Sequence, residues 1–169
     1  VPALELAFSL AGDADLIITI GGASVGDHDL VGQVAIDQGM DRAFYKIAMR
    51  PGKPLMAGKI GNATMIGLPG NPVSAMVCGH IFVLPVIRKM LGLAPTAVPK
   101  RKATLLNTLQ PNGPREHSMR GRVDADGVYV FDRQDSALLS VLADANCLVV
   151  RPPRDGTRLP DDHVDIIDL

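Results

Sequence analysis

The stretch that decides the fold is LIITIGGASVGDHD at residues 16–29, and a second loop, GLPGNPVSA, follows at residues 67–75. Each begins as an apolar, strand-like run, opens into small residues and leads into a helix-like segment. In open α/β sheets, ligands bind at the carboxyl ends of strands, where backbone N–H groups can hold an anion. Arg50 and Lys53 lie between the two loops in RPGKP. The pattern predicts a site for a phosphorylated small molecule, and the carboxylates Asp27 and Asp29 indicate a cation or a positioning role.

Composition limits the classes of function. The net charge is −1, from 17 basic and 18 acidic residues, which argues against a nucleic-acid partner because phosphate-backbone binders carry a basic excess. No run of about 18 uncharged apolar residues is present, so we expect no membrane span. The two cysteines, Cys78 and Cys147, lie in apolar contexts and are too few for a disulfide framework. With no signal-like start, these features predict a cytoplasmic protein.

The chain divides into two parts by its sequence pattern. Residues 1–94 predict an α/β domain with a doubly wound, mostly parallel sheet, which is N-terminally incomplete because a helix at residues 1–11 precedes the first strand. Residues 95–102 contain two prolines and three consecutive basic residues, and we expect them to form a linker. Residues 103–169 carry short β runs, which are typical of a small mostly-β barrel or sandwich.

Local signals predict individual elements. We expect helices at 30–38 and 72–90, the second interrupted at Pro85, and strands at 16–20, at 43–49 and in a hairpin at 55–59 and 64–67. In the second part, we expect strands at 103–109, 119–123, 128–131, 148–150 and 164–167, and a helix at 136–144.

Several candidate residues have two readings from the sequence. The loop glycines either permit a tight turn or let backbone donors approach an anion. Asp29 either caps the following helix or acts as a functional carboxylate. Asn71 and Ser74 either shape the second loop or contact a ligand, and the direction of Lys46 is undecided. No set of histidines and cysteines has the spacing of a zinc site, so no protein metal centre is predicted.

The motifs also resemble a known family. GGASVGDHD at 21–29, YKIAMRPGKP at 45–54 and GLPGNPVSA at 67–75 occur in the order and spacing of the third domain of the molybdopterin molybdenumtransferases, and residues 98–169 look like the fourth domain of that family. The resemblance implies transfer of molybdenum from molybdate to adenylylated molybdopterin, with Mg²⁺ involved. It also implies a homodimer, with the molybdopterin adenylyltransferase as a further partner.

The resemblance assigns roles to particular residues. Asp29 and Asp27 fall at the catalytic acidic positions. The positions assigned to substrate binding are Gly21, Gly22, Ser24, Gly26, Lys46, Arg50, Lys53, Pro69, Gly70, Asn71, Pro72, Ser74 and Arg120. Arg120 matches a family arginine, although Ser118 stands where the family has an aromatic residue.

Other functions remain open on the same fold. One is a molybdopterin adenylyltransferase or a nucleotide pyrophosphatase, and another is a non-catalytic scaffold module. Ser24-Val25-Gly26 in the first loop favours the molybdenum-inserting branch. The sequence does not show the long linkers that a scaffold module needs, so the scaffold is the least favoured alternative. Because the family has further sequence upstream, we expect this 169-residue chain to be a fragment that does not insert molybdenum by itself.

Overall fold

The structure is a computed structural model that describes residues 1–22, 30–94 and 97–169. Contacts between residues divide the chain into two compact units. Unit 1 comprises Val1–Ile47 and Gly52–Cys78, and unit 2 comprises Ala48–Pro51 and Gly79–Leu169. The helices are α1 (Pro2–Leu10), α2 (Leu30–Asp37), α3 (Pro72–Cys78), α4 (Leu84–Met90) and α5 (Leu139–Asp144). The strands are β1 (Leu16–Ile20), β2 (Asp41–Tyr45), β3 (Met49–Arg50), β4 (Met56–Ile60), β5 (Ala63–Leu68), β6 (Arg101–Thr104), β7 (Glu116–Val123), β8 (Val128–Val130), β9 (Cys147–Arg151) and β10 (His163–Asp168).

Unit 1 contains a four-stranded sheet in the order β1-β5-β4-β2. The α/β class of this part is confirmed, and the sheet is mixed. Strands β1 and β5 are parallel, whereas β4 pairs antiparallel with both β5 and β2. The antiparallel pairing of β4 with β5 follows from their connection, since the tight turn at Gly61–Asn62 can only reverse the chain.

Helices cover the apolar side chains of this sheet. Phe8 of α1 and Val34 of α2 belong to one buried cluster with Ile17 of β1 and Met65 of β5. Helix α2 matches the predicted segment, and Gly39 just beyond it has a φ of +89°, the left-handed conformation that ends helices at glycine. This packing fixes the carboxyl ends of β1 and β5, where the two loops of the sequence motif begin.

The strand predicted at 43–49 is two strands in the structure. β2 ends at Tyr45, β3 starts at Met49, and each pairs in a different sheet. Lys46 has a φ of 67°, which an extended strand cannot contain, and this residue ends β2. The alternating sequence pattern contained no signal for that break.

The helical segment Pro72–Met90 is interrupted, as Pro85 predicts. Helix α3 ends at Cys78, residues 79–83 form a π-helical turn, and α4 starts again at Leu84 with Pro85 in its first turn. A proline is tolerated there because the first-turn N–H groups have no helical partner. By length and composition alone this segment could cross a membrane. Helices buried in protein cores pass the same test, and Val73, Val77 and Cys78 are buried, so the observation is weak evidence for a span.

Unit 2 contains a β-sheet of six strands, which confirms the mostly-β class predicted for the second part. The paired strands run in the order β3-β7-β9-β10-β6, with β8 on β7, and within the described ranges this path does not close into a barrel. Its core contains Leu105, Val128, Val149 and Ile166. The strand β7 starts at Glu116, three residues earlier than the predicted strand, so it includes His117.

The basic run before the second part is partly ordered in the sheet. Arg101 and Lys102 are the first two residues of β6. Their side chains form ion pairs with the carboxylates of Asp168 and Asp165 on the neighbouring strand β10, with N–O distances of 2.7 and 2.9 Å. The opposite charges on the neighbouring strand explain why these two residues are extended and paired. The domain bounds 1–94 and 103–169, with a linker at 95–102, stay a prediction.

Candidate functional site

The two glycine loops of unit 1 touch each other. Their strands are parallel neighbours, with Ile20 opposite Leu68. Beyond the strand ends, the Gly21 N–H donates to the Leu68 carbonyl at 3.0 Å. A Cβ atom built on Gly70 would lie 3.2 Å from the Gly21 Cα. The carboxyl ends of β1 and β5 therefore bring two loops that are far apart in sequence to one place.

The first loop requires glycine at two positions, for conformational and for steric reasons. Gly21 and Gly22 have φ values of +85° and +73°, which other residues rarely adopt. A Cβ on Gly22 would come within 2.2 Å of a methyl carbon of Val31, in the first turn of α2. The tight-turn reading of these glycines is thus supported for the described positions.

The second loop is built around the start of α3. The Asn71 side-chain oxygen accepts hydrogen bonds from the Ser74 backbone N–H at 3.2 Å and from the Ser74 hydroxyl at 3.4 Å. This is the capping arrangement at a helix start, with Pro72 as the first helical residue. Pro69 and Ser74 are buried, whereas Gly70 and Pro72 are exposed. Of these two exposed residues, only Gly70 has a backbone N–H that could bind a ligand, because proline has none.

The lysines of the central motif behave differently from each other. The Lys46 ammonium lies 4.5 Å from the centre of the Tyr45 ring, a cation–π contact. The Ile47 N–H donates to the Lys53 carbonyl at 3.0 Å, which closes the base of the RPGKP loop. The Lys53 side chain is exposed. Lys53 is therefore anchored through its backbone while its charge is accessible.

Four predicted site residues lie outside the described residues: Ser24, Gly26, Asp27 and Asp29. Their roles stay predictions. The other two predicted positions, Arg50 and Arg120, belong to unit 2.

Arg120 is held inside unit 2. Its side chain is 1% exposed, and its guanidinium donates to the Gln134 side-chain oxygen at 3.3 Å and to the Asp135 carbonyl at 3.0 Å. Arg120 lies in β7, which pairs with β9, and its guanidinium is in the interior of this unit. Arg122, two residues later, is exposed.

Unit 2 also contains a basic cleft that the sequence analysis missed. The cleft measures about 260 Å³, and Arg50, His117 and Arg151 line it. Arg50 is the cross-strand partner of His117 in the β3–β7 pair, and His117 is the partner of Arg151 in the β7–β9 pair. Three strands from distant parts of the chain contribute one residue each, so no local spacing could have revealed the cluster.

The histidine of this cleft is held neutral. Burial and, to a smaller extent, the nearby positive charges of Arg50, Arg120, Arg151 and Arg115 together lower the pKa of His117 to about 4. Both effects disfavour the imidazolium, the first by desolvation and the second by repulsion. The cleft is therefore an electropositive environment around a neutral imidazole.

The described residues do not by themselves form a Mg²⁺ site. No three histidine, cysteine or acidic side chains converge within the ranges 1–22, 30–94 and 97–169. Mg²⁺ prefers carboxylate and phosphate oxygens, and the two carboxylates predicted for it, Asp27 and Asp29, lie in the segment that is not described.

Two family models cover most of the chain. Residues 2–89 match the probable molybdopterin binding domain, and residues 102–169 match the MoeA C-terminal region (domain IV). A molybdopterin molybdenumtransferase of Nostoc sp. is 38% identical over 83% of this chain and 34% of its own length. Molybdopterin molybdenumtransferase 2 of Mycobacterium tuberculosis is 37% identical over 91% of this chain and 38% of its own length.

The fold has a counterpart among solved structures. The molybdopterin biosynthesis MoeA protein of Pyrococcus horikoshii superposes with a TM-score of 0.79 at 22% identity, over 98% of this chain and 40% of that one. The chain spans between a third and two fifths of the length of these relatives. By its two matched regions, the chain belongs to the molybdopterin molybdenumtransferase family and carries that family's molybdopterin-binding domain and C-terminal region.

Proposed function

We propose that the protein carrying these two units inserts molybdenum from molybdate into adenylylated molybdopterin. One observation carries the proposal beyond family membership in molybdenum cofactor biosynthesis. The glycine loops after β1 and β5 meet at Gly21 and Gly70, at the sheet edge where α/β proteins bind phosphorylated ligands. The match to the probable molybdopterin binding domain supports a pterin as that ligand.

In this proposal the chain acts by positioning and electrostatics. The backbone N–H groups of the two loops bind the phosphate groups of the substrate, and the exposed charge of Lys53 offsets its negative charge. Asp27 and Asp29 orient molybdate and the water molecule beside it. The dithiolene sulfurs of the pterin, rather than protein side chains, hold the incoming molybdenum. Reactant geometry therefore supplies most of the rate enhancement.

We further propose a cytoplasmic location. Cys78 and Cys147 are free and buried, and burial raises the pKa of their thiols to about 12 and about 11. Such protonated, inaccessible thiols fit a protein that has no use for disulfides. The homodimer and the adenylyltransferase partner rest on the family resemblance.

The test is a reaction with defined substrates. The full-length protein that carries these two units is incubated with adenylylated molybdopterin, with and without molybdate, and the release of AMP and the formation of molybdenum-loaded pterin are measured together. We expect both products, and only when molybdate is present. Asp29→Asn should lower the rate at least tenfold without unfolding the protein, because asparagine caps a helix about as well as aspartate. The exposed Asp13→Asn variant is the control.

The alternatives give different products. An adenylyltransferase would consume ATP and free molybdopterin, and a pyrophosphatase would release AMP whether or not molybdate is present. A scaffold module would bind without turnover. Any of these three results in place of molybdate-dependent loading would overturn the proposal.

A further inference from the structure

The basic cleft of unit 2 has the composition of an anion site. We propose that the cleft lined by Arg50, His117 and Arg151 binds a small tetrahedral oxyanion, either free or as a monoester. This inference does not rest on the proposed reaction, because all three residues lie in unit 2, apart from the glycine loops of unit 1.

The sheet places the three side chains together. Arg50 and His117 are cross-strand partners, and so are His117 and Arg151. Directly opposite residues on neighbouring strands point to the same face of a sheet, and all three side chains reach the same cleft of about 260 Å³. The cluster is thus fixed by strand register, and no loop has to move to form it.

The charges around the cleft do not balance. Arg151 is 2% exposed and pairs with Asp155 at 2.5 Å, but the same carboxylate also pairs with Arg158 at 2.7 Å. One carboxylate therefore serves two guanidinium groups. Arg50 is in none of the ion pairs formed by the described residues, and Asp132 is the acidic residue that lines the cleft. A positive excess in a partly enclosed space is favourable for an anion.

The lowered pKa of His117 reflects this excess of positive charge. Its pKa is lowered to about 4 by burial and by four arginines, Arg50, Arg120, Arg151 and Arg115. A bound dianion would offset the repulsion from those arginines and favour the imidazolium. His117 would then donate a hydrogen bond to the anion as its pKa rises. The two events are linked, so anion binding must shift the titration of this residue.

The lining also contains large apolar residues: Leu109, Met119, Val130 and Phe131. A free oxyanion would contact only polar groups of the cleft, whereas the organic group of a monoester could also bury apolar surface. Comparing the affinities of a free oxyanion and a monoester therefore distinguishes the two kinds of ligand.

The experiment uses the 169-residue chain with sulfate as the free dianion and phenyl phosphate as the monoester, at constant ionic strength. NMR follows the imidazole signals of His117, assigned through the His117→Gln variant, with His80 and His163 as internal references. We expect saturable binding of at least one probe and a rise in the pKa of His117 with sulfate, with the reference histidines unchanged. Tighter binding of phenyl phosphate indicates a monoester ligand, and tighter binding of sulfate indicates a free oxyanion; both support the site.

The matched variants are Arg50→Gln and Arg88→Gln. Each removes one positive charge, but Arg50 lines the cleft and Arg88 lies in α4 and does not. Arg50 is exposed, so its replacement should leave folding intact. We expect Arg50→Gln to weaken binding at least tenfold and Arg88→Gln to change it less than twofold. If neither probe moves the His117 signal, or if the two variants weaken binding equally, the cleft is not an anion site.

Discussion

A methyl group added to Gly70 would lie 3.2 Å from the Cα atom of Gly21, although the two glycines are in different loops after different strands. Cβ contacts that close are rare, so alanine at position 70 requires the Gly21 backbone to shift by a few tenths of an ångström. The contact follows from the parallel pairing of β1 with β5, which ends at Ile20 and Leu68. It makes the distance between the loops sensitive to a single methyl group.

The Gly70→Ala variant should therefore separate loop geometry from folding. We expect affinity for adenylylated molybdopterin to fall at least fivefold, with a loss of about 1 kcal/mol in the free energy of unfolding, typical of a single substitution. Gly79→Ala is the control, since nothing lies within 4 Å of its added methyl group. Titration calorimetry and urea denaturation measure the two quantities. Equal affinities for the two variants would mean that the loop contact has no part in binding.

Asn71 offers a test of the second loop in which stability and binding change separately. Asn71→Ala removes the cap on the Ser74 N–H and should cost about 1 kcal/mol of unfolding free energy. Asn71→Asp keeps the cap, so its stability should match that of the wild type. If the loop binds a phosphate, the new negative charge should nevertheless weaken adenylylated molybdopterin binding by about tenfold. Unchanged affinity in Asn71→Asp would place the phosphate elsewhere.

His117 predicts a pH dependence of stability. Its folded pKa of about 4 lies below its ordinary value of 6.5, so between these two pH values the unfolded chain binds more protons than the folded one. Stability is then fully present above pH 6.5 and is lost as the pH falls toward 4, by up to about 3 kcal/mol. His117→Gln cannot titrate and should lose less over the same window. Denaturant unfolding at several pH values checks this, and parallel curves for the two proteins would contradict it.

Two ion pairs in unit 2 should differ sharply in their contribution to the free energy of unfolding. Arg151 is almost fully buried and Asp155 is its partner, so Asp155→Asn leaves a buried charge without its counterion and should cost about 3 kcal/mol or more. Arg101 and Asp168 are both more than half exposed, and Asp168→Asn should cost less than about 1 kcal/mol. Thermal or chemical unfolding of the two variants gives the comparison. Similar losses for both would show that the Arg151 pair is not buried in solution.

The sequence predicted those parts of the fold that local patterns determine. The apolar run of β1, the turn at Gly61–Asn62 and the helix interruption that Pro85 predicts have signals within a few residues. All three occur, the interruption at residues 79–83. The break at Lys46 has no such signal, because the neighbouring strands β2 and β3 are paired by different sheets. Tertiary pairing thus decided what the alternation of residues could not.

The candidate site divides in the same way. Gly21 and Gly70 could be related because each follows a recognisable strand, and parallel neighbours end at the same edge. The cluster of Arg50, His117 and Arg151 could not, because it depends on which strands lie beside β7. Arg120 was predicted from a motif to contact a ligand. In the structure its guanidinium donates hydrogen bonds to Gln134 and Asp135, which the sequence pattern could not reveal.

The most direct test of the account is the affinity of Lys53→Ala for adenylylated molybdopterin at low and high salt. Lys53 is exposed and its loop is closed by the Ile47–Lys53 backbone hydrogen bond, so the substitution should leave stability almost unchanged. If Lys53 binds a phosphate, affinity should weaken by about 1.5–3 kcal/mol, roughly ten- to 150-fold, and should depend less steeply on salt than in the wild type. Lys59→Ala, at an exposed position of β4, should bind like the wild type. Wild-type affinity and a parallel salt dependence in Lys53→Ala would contradict the proposed phosphate site.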